Sequence, residues 1–170
     1  MSPRIGSVLC SNQQTMKRLI TLIIILIVAT VSAQTIEQHV AGLRFGSNGG
    51  FGTELNYQYG LDDDNRLELG LGLITDSGYD AAQFTGVYQW VWAIEDGFQW
   101  YAGPGAGVVF INPDLGDNVT SVRLLGQVGI EYVFDFPLNL SLDTRPSFYF
   151  NDEFIDAFNL GIALSARYRF

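Results

Sequence analysis

The sequence predicts an all-β fold, a transmembrane antiparallel up-and-down β-barrel of about eight strands behind an N-terminal signal peptide. Alternating apolar and polar residues recur along the chain, separated by short breaks that contain Gly, Asn, Asp or Pro. This alternation collects the charged side chains of every strand on one face. Charged residues make up only 16% of the sequence, against about 25% in ordinary soluble domains. Together these observations favour strands that turn an apolar face to lipid.

The first 33 residues are predicted to be removed rather than to join the barrel. Residues 16–18 supply a positive start, residues 19–31 form an apolar run, and residues 31–33 read as a small-residue cleavage site. The run falls short of the roughly 20 residues that a spanning helix needs. We assign residues 1–15 to a start-site extension, 16–33 to a signal peptide and 34–170 to the barrel. The alternative for this segment is an uncleaved inner-membrane anchor.

Cleavage at this site would leave an acidic chain without cysteine. Cys10 and three of the nine basic residues precede the site, whereas all 18 acidic residues follow it, so the mature net charge becomes −12. Without cysteine the mature chain has no disulfide, thiolate metal site or cysteine nucleophile. An acidic chain is also a poor ligand for nucleic acid. We therefore expect no cofactor and no nucleic-acid partner.

Predicted strands and breaks alternate regularly from residue 39 onward. The strands are expected at residues 39–46, 51–61, 66–74, 83–94, 98–111, 120–134, 139–150 and 156–170. Each is about as long as a tilted strand that crosses a bilayer. An even number of strands returns both ends of the barrel domain to one side. The breaks at 62–65, 95–97 and 135–139 then become periplasmic turns, and those at 47–50, 75–80, 112–118 and 151–155 become short external loops.

The apolar face of each predicted strand is assigned to lipid and the polar face to the lumen. In the last strand, for example, Leu160 and Ile162 alternate with Gly161 and Ala163. An arginine turned to lipid would cost about 2–4 kcal/mol at the bilayer midplane. A soluble barrel could show the same alternation, but its outer face would be rich in Lys and Glu, whereas this polar face is rich in Gly, Ser, Asn and Gln.

Eight charged side chains of the polar face are predicted to close the lumen as a salt-bridged network. They are Arg44, Glu54, Glu68, Arg123, Glu131, Asp143, Arg145 and Arg167. Arg44 and Glu54 flank a tight hairpin, and Glu131 is expected near Asp143 and Arg145. Buried charges need partners, and eight strands leave an interior that side chains nearly fill. The alternative is a narrow ion path through these side chains.

Aromatic residues of the apolar face cluster near the predicted periplasmic turns, as in an interfacial girdle. The girdle is predicted from Tyr88, Trp90, Trp92, Trp100 and Tyr132. Two prolines fit the strands poorly, since Pro104 and Pro146 cannot donate a ladder hydrogen bond. We expect a local bulge at each.

The chain resembles the small outer-membrane β-barrel family of Gram-negative bacteria, in the layout of the OmpA transmembrane domain and of OmpX. The resemblance covers residues 34–170. It rests on the terminal Phe170 preceded by Tyr168 and alternating apolar residues, on the GIEYVF stretch at 129–134 and on the Gly-rich fifth strand.

This resemblance implies an outer-membrane location, with outer-membrane lipids and the barrel-assembly machinery as partners. It also implies that the machinery reads the terminal strand, a role that we carry to Leu164, Tyr168 and Phe170. The external loops are shorter than the family's, which argues against adhesion through loops. We expect a monomer.

The expected function is a structural, non-enzymatic role in the envelope; a narrow solute or ion channel and a lipid-A-modifying enzyme are the alternatives. His39 is the only histidine, and it lacks the serine two residues away that barrel deacylases of this family use, because Ala41 stands there. The aspartates at 62–64 lack the spacing of a calcium loop. The glycines at 103–107 are not followed by the helix or lysine of a phosphate loop. No catalytic or metal-binding residue is assigned.

Overall fold

The computed structural model describes residues 36–47, 51–76, 79–114, 117–150 and 158–170. The expected start-site extension and signal peptide, and the greater part of the expected external loops, lie outside the described residues. Within the described ranges no helix has the length and apolar character needed to cross a membrane.

Eight antiparallel strands form a closed barrel, in which each strand pairs with its neighbours in sequence and β1 also pairs with β8. The strands are β1 (His39–Ser47), β2 (Phe51–Gly60), β3 (Asn65–Asp76), β4 (Tyr79–Ala93), β5 (Phe98–Pro113), β6 (Val119–Val133), β7 (Leu138–Phe150) and β8 (Phe158–Arg169). The predicted eight-stranded barrel is thereby confirmed. We call the end that carries the β2–β3, β4–β5 and β6–β7 turns the turn end, and the opposite end the loop end.

The largest departure from the predicted strands is at the β3–β4 hairpin. The sequence predicted a break over residues 75–80, whereas β3 continues to Asp76 and β4 begins at Tyr79. Thr75 pairs with Asp80, and Asp76 pairs with Tyr79. The acidic residues that suggested a loop are therefore strand residues, because pairing with the neighbouring strand overrides their low intrinsic preference for strands.

The two faces of the barrel are inverted relative to those of a soluble protein. Arg123, Arg145 and Arg167 are among the largest fully buried side chains, whereas Leu73 is 68% exposed and Phe110 is 55% exposed. The exposed set also includes Leu, Ile, Val, Phe and Trp side chains from every strand. The polar residues thus fill the lumen, and the apolar residues cover the outside.

An apolar cluster occupies the lumen at the loop end. Its buried members, which we call the apolar cap, are Ile74, Tyr79, Ala81, Val109, Ile111 and Tyr149. They come from the loop-end segments of β3, β4, β5 and β7. The alternation did not predict the cap, since the inward face was read as polar throughout.

The turns at the turn end are tight and use the residue types that turns require. In the β4–β5 turn Asp96 and Gly97 have positive φ angles of 48° and 84°, a conformation that glycine adopts without strain. In the β2–β3 turn the backbone N–H of Asp64 and the side-chain amide of Asn65 donate to the Asp62 carboxylate at 3.0 and 2.6 Å. These hydrogen bonds lower the pKa of Asp62 below its usual value.

The prolines interrupt the ladders without bulges, so the expected bulges are wrong. Between β4 and β5 pairing stops after Val87↔Gly105 and resumes at Trp90↔Ala102. The same number of residues is skipped on both strands, and the register is unchanged. An equal gap separates Leu125↔Ser147 from Val128↔Thr144 in the β6–β7 ladder.

The two prolines flank the same residue, Gly126 of β6, from opposite sides. Pro104 pairs with Gly126, and Pro146, whose Cγ lies 3.7 Å from an ideal Cβ built on Gly126, flanks the same residue from β7. Both gaps therefore border the β5–β6 hairpin. Each proline loses one ladder bond locally, and no extra residue is needed to restore the alternation.

Candidate functional site

Two buried arginines of the lumen meet at Glu68 of β3. Arg145 Nη2 lies 2.5 Å from Glu68 Oε1, and Arg167 Nη2 lies 3.1 Å from Glu68 Oε2. Gln58 Nε2 donates to Glu68 Oε2 at 2.6 Å, and Gln127 Nε2 donates to Oε1 at 3.3 Å. Glu68 is 0% exposed, so two guanidinium groups and two amides take the place of its water shell.

The pairing continues from Glu68 in both directions. Arg145 Nη1 lies 2.9 Å from Glu54 Oε2, and Arg167 Nη1 lies 3.3 Å from Glu131 Oε2. Glu131 Oε1 is in turn 2.8 Å from Arg66 Nη1. The resulting ion-pair chain runs across the lumen as Glu54, Arg145, Glu68, Arg167, Glu131 and Arg66. Its charges alternate in sign, which is the arrangement that compensates buried charges best.

A second buried pair lies beside the chain. Arg44 Nη2 is 2.7 Å from Asp143 Oδ1, and Arg44 Nε is 3.2 Å from both carboxylate oxygens. Tyr101 donates its hydroxyl to Asp143 at 3.4 Å. Arg44 and Glu54 are direct cross-strand neighbours, as the sequence suggested. Yet the two do not bind each other in an ion pair. Arg44 binds Asp143 of β7, and Glu54 binds Arg145, which is also on β7.

Arg66 and Arg123 depart from the expected network, which omitted the first and included the second. Arg66 belongs to the ion-pair chain although the predicted set omitted it; its position two residues before Glu68, on the same strand face, was the available signal. Glu131 binds Arg66 and Arg167, and in the ladder it pairs with Ser141, two residues before Asp143. The alternation along a strand predicts the face on which a side chain lies. It does not predict which partner a long side chain reaches inside the lumen.

Arg123 lies inside the lumen and has no carboxylate partner within the described ranges. It donates to the Tyr149 hydroxyl at 2.9 Å and to Thr85 Oγ1 at 2.6 Å, and its guanidinium carbon lies 5.7 Å from the centre of the Tyr149 ring. Tyr149 belongs to the apolar cap. Arg123 therefore marks the boundary between the charged part of the lumen and the cap.

Little space is left at the turn end of the lumen. A cavity of about 30 Å³ is lined there by Val40, Arg66, Gln99, Glu131 and Asn139, among others. A cavity of this size is large enough to hold water. Arg66 and Glu131 of the ion-pair chain border this cavity.

The five residues predicted as a girdle all lie on the outside near the turn end. Trp92 and Trp100 are cross-strand neighbours whose rings stack at 4.2 Å. Tyr88 packs edge to face on Trp90 at 5.2 Å. Tyr132 contacts Phe98 and Phe134 at 4.7 and 4.6 Å. The structure thus places the five in three groups of contacting rings and adds phenylalanines that the sequence analysis did not include.

The predicted assembly residues point outward from β8. Leu164 and Tyr168 are each 57% exposed, and Phe170 is 66% exposed. Phe170 donates its backbone N–H to the carbonyl of His39 at 3.1 Å, and its ring stacks on the His39 ring at 6.3 Å. His39 Nδ1 lies 2.7 Å from the Tyr57 hydroxyl. His39 thus belongs to the β1–β8 closure, where its ring lies beside those of Tyr57, Tyr59 and Phe170.

Neither the aspartate turn nor any other described segment assembles a metal site. Across the described ranges no group of three or more His, Cys, Asp or Glu side chains is arranged to hold a metal ion. Asp62, Asp63 and Asp64 are exposed in the β2–β3 turn. Gly103, Gly105 and Gly107 lie within β5 rather than in a loop before a helix.

Comparison with known proteins identifies the fold. No family model matches the sequence, and no curated protein matches it. Among solved structures, the N-terminal β-barrel domain of Pseudomonas aeruginosa OprF matches with a TM-score of 0.67 at 14% identity, over 79% of this chain and 98% of that one.

Two further matches have the same kind of fold. Neisserial surface protein A gives a TM-score of 0.61 at 16% identity, over 78% of this chain and 94% of that one. A major outer membrane protein of Thermus thermophilus gives 0.52 at 15% identity, over 78% and 99%. The chain therefore has the fold of the small eight-stranded outer-membrane barrels.

Proposed function

We propose that this chain is an integral outer-membrane β-barrel whose lumen is sealed by its own side chains, and that its role in the envelope is structural. The observation that carries the proposal is the inversion of polarity: nine charged side chains are buried inside the barrel while the outside is apolar. Such a surface is stable only where lipid covers it.

The outer surface supports the membrane part of the proposal. On β8 alone Phe158, Leu160, Ile162 and Leu164 are each more than half exposed. Soluble monomers rarely expose a contiguous apolar patch of more than a few hundred Å², and this apolar surface continues around all eight strands. The aromatic clusters near the turn end suit the interface between hydrocarbon and headgroups.

The lumen supports the sealed part of the proposal. The ion-pair chain crosses the charged half of the lumen, and the apolar cap occupies the loop end. An ion entering from either side would meet a barrier, either paired charges that must separate or an apolar plug. Removing one partner of a buried pair costs about 3–5 kcal/mol. Both barriers favour a closed barrel over the alternative of a narrow channel.

A barrel of this kind contributes to the envelope as a stable integral membrane protein. Its closed ladder and its internal ion pairs hold it together. The barrel-assembly machinery is the expected partner during insertion. The exposed outward side chains of Leu164, Tyr168 and Phe170 are available for reading before the β1–β8 seam closes. The enzymatic alternative lacks support from His39, which sits among aromatic rings at the seam.

Membrane location is tested by fractionation and by a gel-mobility assay. The mature protein should sediment with outer membranes and should migrate differently before and after boiling, because an intact barrel resists detergent unfolding. Partition into the soluble fraction, without a heat-dependent change in mobility, would contradict the proposal.

The structural role is tested in a deletion strain. We expect increased entry of a large hydrophobic dye and reduced survival of envelope stress, both restored by the wild-type gene. The acyl pattern of lipid A should be the same with and without the gene. A changed acyl pattern, by mass spectrometry, would instead support the lipid-modifying alternative.

A further inference from the structure

A short segment in front of β1 packs against the end of β2. It consists of residues 36–38, and we call it the strap. The backbone N–H of Gly60, the last residue of β2, donates to the Gln38 carbonyl at 3.1 Å. A Cβ built on Gly60 would lie 3.0 Å from the Glu37 carbonyl oxygen and 3.4 Å from the Ile36 side chain. The strap thus passes close to the barrel at a position where glycine leaves room for it.

Arg169 ties the strap to the other side of the β1–β8 seam. Its Nη1 lies 3.1 Å from Glu37 Oε1. Its Nη2 donates to the carbonyl oxygens of Phe134 and Phe136 at 2.6 and 3.0 Å. One guanidinium group therefore joins the strap, the end of β8 and the β6–β7 turn.

The strap also borders the cavity of about 30 Å³ at the turn end of the lumen. Ile36 and Glu37 line this cavity together with residues of β1, β3, β5, β6, β7 and β8. Arg66 Nη2 and Asn139 Oδ1 belong to the buried polar atoms of the lining that have no hydrogen-bond partner among the described residues. Each of these two residues is 3% exposed. A buried donor and a buried acceptor beside a space of this size are the partners that bound water requires.

The charges around the cavity select a neutral ligand. Arg66 and Arg169 are balanced by Glu37 and Glu131 in the same lining. An ion of either sign would meet like charges there and would lose its hydration. Water can donate to Asn139 Oδ1 and accept from Arg66 Nη2 at the same time, so it is the ligand that matches the lining.

We propose that the strap closes the turn end of the lumen, that the Glu37–Arg169 pair holds it closed, and that it encloses water bound to Arg66 and Asn139. This inference rests on the proposed sealed lumen and adds a third closure to the ion-pair chain and the apolar cap. Because Arg66 is the last member of the ion-pair chain, opening the strap brings that end of the chain into contact with bulk water.

The pair that holds the strap is within reach of solvent. The Glu37 side chain is 51% exposed and that of Arg169 is 15% exposed. Salt weakens exposed ion pairs by screening them. The strap therefore opens more often as the ionic strength rises.

Cysteine labelling measures this opening. Val40 is 2% exposed and lines the cavity, and the mature chain has no other cysteine because Cys10 precedes the predicted cleavage site. The Val40→Cys protein in detergent is treated with a methanethiosulfonate reagent that is larger than the cavity. We expect slow modification, and about fivefold faster modification when Glu37→Gln is added, the upper range for an exposed ion pair.

Salt provides a second readout of the same pair. In about 1 M salt the Debye length falls to about 3 Å, so modification of Val40→Cys should become faster. The same salt should not accelerate the protein that also carries Glu37→Gln, because the pair is already absent.

Two matched variants separate strap opening from other effects. Asp63→Asn removes an exposed carboxylate at the same end, outside the strap, and should leave the rate for Val40→Cys unchanged. Val87 is 1% exposed inside the lumen on β4. Val87→Cys should stay unmodified with and without Glu37→Gln, since only a loosened barrel exposes it.

The bound water is measured by NMR of protein labelled with nitrogen-15. The side-chain amide protons of Asn139 should show a cross-peak to water with the sign of a long-lived bound molecule. This cross-peak should weaken in Glu37→Gln, because an open strap lets the water exchange. Its absence from the wild type would overturn the water site.

Three labelling results would overturn the strap: fast modification of Val40→Cys alone, equal acceleration by Asp63→Asn, or modification of Val87→Cys together with Val40→Cys. Single-channel recording of the wild type tests the sealed lumen independently. A strap that fails while the wild type gives no channel steps leaves the proposed function standing, whereas channel steps in the wild type contradict the proposed function itself.

Discussion

At the scale of single residues, Arg145 and Arg123 show that two buried arginines of one lumen can have different kinds of partner. Arg145 contacts both Glu54 and Glu68, whereas Arg123 has only hydroxyl partners among the described side chains. The sequence placed both on the inward face, because parity along a strand is fixed. It could not say which one would find carboxylates, since partners are set by reach across the closed barrel.

This difference predicts unequal costs for the same substitution. Arg145→Met leaves Glu54 without its cation and removes one of two from Glu68, and should lower the free energy of unfolding by about 3–5 kcal/mol. Arg123→Met strands no carboxylate of the described lumen, and should change it by about 1 kcal/mol or less. Urea titration in phospholipid vesicles, followed by tryptophan fluorescence, measures both. Equal losses would contradict the ion-pair chain as drawn.

At the scale of strands, nearly all boundaries could be predicted from turn residues and alternation, and the exceptions have physical causes. β3 and β4 extend through acidic residues because each pairs with the other. The prolines keep the register because gaps of equal length open on both strands. The apolar cap was not predictable, since Ile74 and Val109 interrupt a face that is otherwise polar.

Glycines beside these gaps should differ sharply in tolerance. A Cβ added at Gly103 would overlap the main-chain carbonyl oxygen of Tyr88, whereas one at Gly126 would lie 3.7 Å from Pro146 Cγ, an ordinary contact. Gly103→Ala should therefore cost about 1–3 kcal/mol, and Gly126→Ala should be nearly neutral. The midpoint of heat-induced loss of the fast-migrating gel form compares them. A more damaging Gly126→Ala would refute this account of the β5 glycines.

At the scale of the whole molecule, the apolar side chains are outside and the charged ones inside, the reverse of a soluble barrel. This was predictable because, apart from end residues, all charges of the strands predicted from the sequence fall on one face. Leu142 is 52% exposed on the outside of β7. Leu142→Arg should lower stability in vesicles by about 2–4 kcal/mol if this face meets hydrocarbon, whereas Leu142→Met should be tolerated. Urea titration in vesicles measures both. An arginine accepted without cost would indicate that water, not lipid, covers the barrel.

The sealed lumen is the central claim, and ion flux through reconstituted protein tests it most directly. The wild-type protein should give no stable single-channel steps in a planar bilayer. The gel-mobility assay on matching vesicles verifies that the protein has inserted as a folded barrel. A double variant with Arg145→Ala and Tyr149→Ala, which opens both the ion-pair chain and the apolar cap, serves as the comparison and should raise the current. Stable steps from the wild type, abolished by Arg145→Ala, would contradict the sealed lumen and establish a channel.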